Sequence, residues 1–232
     1  NIPFVGVYAA CAGFPLQILL GSNLIESKNA KNIITLASSH NLTAERQFRY
    51  PTEYGCPKKG TATCTLTACV SMLLTNEKTN IKVSGGLIGK VINLGINDVN
   101  NMGAVMAPAC ADTIYTYLQN AHETVKDYDL ILTGDLGKVG LNILKEYYEK
   151  VYNERLNKIM DAGDEIFLET SQYSGGSGPV CLPLVFLTKI LKNKKYKKIL
   201  IVGSGSLHNP TLVNQGKEIP AISHLVKIEV LL

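Results

Sequence analysis

The chain has 232 residues, 46% of them hydrophobic and 18% charged, with a formal net charge of +4. That balance excludes a disordered chain, and so mild a positive charge suits small anions or anionic surfaces, with no nucleic-acid partner implied. No apolar run reaches the ~20 residues that a membrane-spanning helix needs.

In chain order, β-type runs rich in Val, Ile, Leu and Thr fall at Ile2–Ala9, Asn32–Ala37, Thr63–Leu74, Lys82–Val91, Tyr128–Thr133, Lys198–Gly203 and Ile222–Leu231. Helical spacing fills several intervals. Pro15 opens a helix carrying Leu16, Leu19, Leu20 and Leu24. Pro108 opens a second, with Ala111, Ile114, Tyr115 and Leu118 on one face. Leu141, Leu144, Tyr148 and Val151 mark a third, and Pro183, Phe186, Leu187 and Ile190 a fourth that runs into the basic stretch KNKKYKK, Lys192–Lys198. Strands alternating with helices predict an α/β layered fold with largely buried sheets. The polar stretch Gln119–Asp127 divides the chain into residues 1–120 and 121–232. The chain starts on Asn1 and enters an apolar run at once, which reads as a piece of a longer protein.

Candidate chemistry begins in GVYAACAG, Gly6–Gly13, which places Cys11 on a strand-to-helix turn. Such a turn lowers a thiol pKa and suits a nucleophile, but it equally suits a small buried residue that opens a helix. The glycine-rich SGGSG segment, with Ser177, brings backbone amides close to a ligand or simply forms a turn. Ser206 and the His40–Asn41 pair offer directional hydrogen bonds, or end strands. Asp135, in TGDLG, either binds calcium or caps a strand end. Arg46 and Arg49 pair with Glu45 and Glu53 on a surface loop, or serve a subunit interface. Cys56, Cys64, Cys69 and His40 lack the tight pairing of a zinc site, so no metal site and no cofactor is expected. The six cysteines, with Cys11, Cys110 and Cys181 completing the set, read as thiols in a reducing cytoplasm. KNKKYKK is a solvated turn or a contact for anionic lipid.

Four stretches together, YDLILTGDLGKVG, RQFRYPTEYG, NMGAVMAPACADTI and SGGSG, resemble the stage V sporulation protein AD family, relatives of the thiolases and ketoacyl synthases, over essentially the whole sequence. The resemblance implies a thiolase-like αβαβα layered sandwich of two similar halves, the first incomplete, with roughly a hundred further residues ahead of Asn1. It puts Cys11 at the nucleophile position. It also puts Gly134 and Gly176 where condensing enzymes carry a histidine and an asparagine. It therefore implies a protein with no catalytic residues. Its cleft would bind dipicolinic acid, alone or with calcium, through Cys11, His40, Asn41, Gly134, Asp135, Gly176, Ser177 and Ser206. A homodimer, partnership with other stage V sporulation membrane proteins, and a peripheral place at the forespore or spore inner membrane belong to the same expectation. The alternative is a surviving acyltransferase using Cys11, with a remote base such as His208.

Overall fold

The computed structural model describes residues 2–48, 58–167 and 173–231. In chain order the elements are α1 (Gly13–Glu26), β1 (Asn32–Ser39), α2 (Asn41–Phe48), β2 (Thr63–Thr65), β3 (Ala68–Thr75), β4 (Ile81–Ile92), α3 (Met102–Ala121) and β5 (Leu130–Thr133). They continue with α4 (Gly137–Tyr152), β6 (Ile159–Asp161), α5 (Ala162–Ile166), β7 (Gly175–Ser177), α6 (Cys181–Val185), β8 (Lys198–Ser206), α7 (Pro210–Asn214) and β9 (Ala221–Val230).

Period-2 alternation explains the layering. In β5, β8 and β9, Ile131, Leu200, Val202 and Leu225 point to one face, where they meet Val105, Ile114 and Leu118 of α3 and Leu144 and Tyr148 of α4. Leu130, Leu132, Ile199, Ile201, Val226 and Ile228 point to the other, against Phe14 and Ile18 of α1 and Leu182 and Val185 of α6. Each such side chain removed from water contributes about 1.5–3 kcal/mol. The sheet so enclosed has five strands in the order β4-β9-β8-β5-β6, with β5 parallel to β6 and β8, and β9 antiparallel to β8 and β4. It takes strands from both sides of the Gln119–Asp127 stretch. Ile33 and Leu74 carry the antiparallel pair β1–β3 onto the far side of α1. Helices, sheet, helices and a second sheet thus stack in α/β layers.

Close approach of the elements depends on glycine. A Cβ on Gly103 of α3 would sit 2.6 Å from the Leu136 carbonyl oxygen and 2.7 Å from Gly140 Cα, so α3 and α4 meet backbone to backbone. On β8, Cβ atoms at Gly203 and Gly205 would meet Pro15 Cδ at 2.6 Å and the Ala9 carbonyl oxygen at 2.5 Å. Those two glycines let the turn bearing Cys11 lie directly on the sheet.

Several expectations need correction. Ile2–Ala9 is not a strand: it finds no ladder partner among the described residues, and Ile2 and Tyr8 are 87% and 75% exposed. Thr63–Leu74 is two strands, broken at Leu66–Thr67: β2 pairs with β7, its last bond running from the Leu66 amide to the Ser177 carbonyl, whereas β3 pairs with β1. The second helix begins at Met102, because Asn101 Oδ1 accepts the Ala104 amide at 3.2 Å and caps it; Pro108 lies inside. The fourth helix is α6 followed by a π-turn over Phe186–Ile190, closed by the Leu191 amide on the Phe186 carbonyl. Arg46 and Glu45 lie on α2, not on a loop, and Glu45 pairs with Lys58. Arg49, Glu53 and Cys56 fall outside the described residues. Lys198, the end of the basic run, enters β8 and bonds Glu123 at 2.9 Å.

Candidate functional site

A short 3₁₀ turn, Ala10–Ala12, precedes α1 and carries Cys11. The preceding Ala10 has φ +46°, a left-handed conformation that a residue with a Cβ rarely adopts. The turn is held where β8 presents only glycine surface, and the Ala12 amide closes it on the Ala9 carbonyl at 3.0 Å. The thiol therefore lies at the amino-terminal end of a 14-residue helix and at the wall of a cavity.

That cavity encloses about 650 Å³, enough for a small aromatic ligand. Five of the expected residues come together on its wall: Cys11, His40, Asp135, Ser177 and Ser206. Three do not line it. Asn41 is turned to β2, its side-chain amide donating to the Thr65 carbonyl at 2.9 Å and to Cys64 Sγ at 3.3 Å. Gly134 packs toward Leu182, whose Cβ would lie 3.5 Å from an added methyl, and a methyl added to Gly176 would meet Ile166 Cγ2 at 2.5 Å. Sequence reasoning missed Gln17, Ser39, Phe48, Met106 and Gly178 on the wall. The signal for Gly178 was present in SGGSG. It has φ +99°, and a Cβ there would strike Thr65 Cγ2 at 2.9 Å and Ser39 Oγ at 3.2 Å. His208, 8% exposed, lines the same cavity and meets the Phe48 ring edge-on at 5.4 Å.

Asp135 is set by the loop between β5 and α4. The buried Asp161 carboxylate accepts the Leu136 amide at 3.1 Å, the Gly137 amide at 2.9 Å and the Thr133 hydroxyl at 2.7 Å. These bonds clamp both flanks of Asp135, which is 2% exposed. Among the described residues its Oδ1 has no hydrogen-bond partner, nor has Ser206 Oγ, which lines the same cavity.

Burial dominates the electrostatics. It pushes the Asp135 carboxyl up to about 7, opposed by the Cys11 thiol and assisted by the Asp161 charge. Part of Cys11 opens onto the cavity, yet the surrounding protein is dense enough that desolvation, then the Asp135 charge, drives its pKa well above the ordinary thiol value. The Gly178 amide lowers both groups without reversing either shift. At neutral pH the sulfur is a thiol, and the carboxyl is far easier to protonate than an ordinary aspartate. Among the described lining residues none is Lys or Arg, and no three His, Cys, Asp or Glu side chains gather as a metal ion would require.

The layered architecture is that of the thiolase-fold condensing enzymes. The structure of 3-oxoacyl-[acyl-carrier-protein] synthase III from Aquifex aeolicus VF5 superposes with a TM-score of 0.57 at 14% identity, over 96% of this chain and 66% of that one. Acetamide-bound OleA from Xanthomonas campestris gives 0.59 at 15% identity, over 96% of this chain and 63% of its own. The chain thus spans slightly less than two thirds of the length of these two enzymes, and at such identities they establish the fold alone. The family model of stage V sporulation protein AD matches residues 1–229, and the chain belongs to that family. Stage V sporulation protein AD of Bacillus subtilis (strain 168) is 39% identical over 233 aligned residues, covering 99% of this chain and 69% of the relative.

Proposed function

We propose that this member of a sporulation family uses the thiolase fold as a receptacle, binding dipicolinate in the Cys11 cavity and supporting its uptake into the developing spore. One observation carries the reading: Cys11 is held beside Asp135 in a buried setting that keeps the sulfur protonated, so the turn that would present a nucleophile presents a neutral wall. The cavity's size, its apolar stretches from Phe48 and Met106, and its unpartnered Asp135 and Ser206 oxygens suit a flat ring edged by polar groups. The other stage V sporulation membrane proteins are the proposed partners, at the forespore inner membrane. The exposed Ile34, Leu36 and Leu73 on the outer face of β1–β3 support a homodimer. Isothermal titration of dipicolinate against the protein, with benzoate as control, tests the binding claim: saturable heat for dipicolinate alone is expected, and equal heats would remove the specificity it asserts.

One observation favours a second reading, acyl transfer from Cys11. His208 shares its cavity and offers an imidazole. The raised thiol pKa weighs against it.

A further inference from the structure

Resting on the reading of the cavity as a dipicolinate site, we propose that Asp135 takes up a proton when the anion binds and donates it as a hydrogen bond to a ligand carboxylate. Geometry leads to this. Asp135 is 2% exposed, and among the described residues neither its Oδ1 nor Ser206 Oγ in the same wall has a partner. Two orphaned polar atoms in one buried wall are costly unless a ligand satisfies them. An ionised Asp135 would only accept, as would the ligand's carboxylates, so the two would repel. A protonated Asp135 instead supplies an O–H donor in addition to the Ser206 hydroxyl.

Among the described lining residues no Lys or Arg is present to resolve the conflict. The titratable groups bearing on Asp135 are Cys11 from the turn before α1, Cys110 from α3, Cys181 from α6 and Asp161 from the start of α5, with His40 and His208 in the cavity wall. The three cysteines are pushed up by burial and stay neutral, and Asp161 is fixed by its own backbone bonds. A dianion entering beside an ionised Asp135 would add like charge to a site that already penalises charge. Even without a ligand burial holds the carboxyl up at about 7, and a dianion beside it raises it further. The proton comes from solvent and returns to it on release.

Binding linked to one proton weakens about tenfold for each pH unit above the free carboxyl's pKa. Titrating dipicolinate into the protein at pH 8, in two buffers of different ionisation enthalpy, counts protons directly. About one taken up per ligand is expected. Asp135→Asn keeps a donor without a titrating group, so it should bind with little pH dependence and take up no proton. Uptake that persists in Asp135→Asn would assign the proton to a histidine and overturn the inference. Proton release on binding, or a pH-independent wild type, would overturn it as well while leaving the site itself intact. No dipicolinate binding at any pH would overturn the underlying reading and this inference together.

Discussion

The Cys11 thiol and the Asp135 carboxyl act on each other in opposite senses across the cavity wall. The carboxyl raises the thiol's pKa, whereas the thiol, as a donor, partly offsets the burial that raises the carboxyl's. The pair is separated by more than half the chain and is joined only when the loop after β5 meets the turn before α1 on the glycine surface of β8.

The first expectation concerns that sulfur. Alkylation of Cys11 by iodoacetamide should be slow at pH 8, because little thiolate exists. Asp135→Asn removes the opposing charge and should accelerate it about tenfold. Peptide mapping gives the rate at this cysteine, and equal rates in the two proteins would show that Asp135 has no hold on it.

The second contrasts two glycines. Gly103→Ala places a methyl 2.6 Å from backbone and should destabilise by about 1–3 kcal/mol in urea unfolding. Gly134→Ala meets Leu182 only at 3.5 Å, with no left-handed backbone to strain, and should be neutral or up to about 1 kcal/mol stabilising. A severe loss at Gly134 would mean that Leu182 leaves no room for the added methyl.

A third concerns acid stability. Burial would raise Glu123, but hydrogen bonds from Lys227, Tyr128 and Lys198 hold it down to about 2. Its contribution is full above the unfolded value of about 4.3 and is lost as pH falls through that value toward 2. Discounted for its partial exposure, that is about 2 kcal/mol. Glu123→Gln should therefore cost stability at pH 7, with the difference closing below pH 3. A constant difference across that range would place the effect outside the titration.

A fourth concerns association. Ile34→Glu and Leu73→Lys, on the outer face of β1–β3, should convert a species of twice 25.2 kDa to a single chain in sedimentation equilibrium. A wild type that sediments as one chain at all concentrations would dispose of the dimer.

Much of the layering was legible, since β5, β8 and β9 are apolar runs and α4 shows clean helical spacing. β6 and β7 have three residues each and offer no periodicity to read. The apolar look of Ile2–Ala9 misled because a strand requires a neighbour, which local pattern cannot supply. At the site, though the strand expected before Cys11 was not there, the helix start at that cysteine was readable from local chemistry. The surroundings of Gly134 and Gly176 were not: each packs against side chains, Leu182 and Ile166, set by distant parts of the fold. The alternating glycines of β8 were a usable cue, because glycine within a buried strand marks a close backbone approach.

Intact-mass spectrometry after incubation with an acyl-coenzyme A at neutral pH probes the central claim, that the Cys11 sulfur forms a wall and not a nucleophile. The mass should stay that of the unmodified chain. A stoichiometric acyl adduct on Cys11 that forms and then turns over would contradict it.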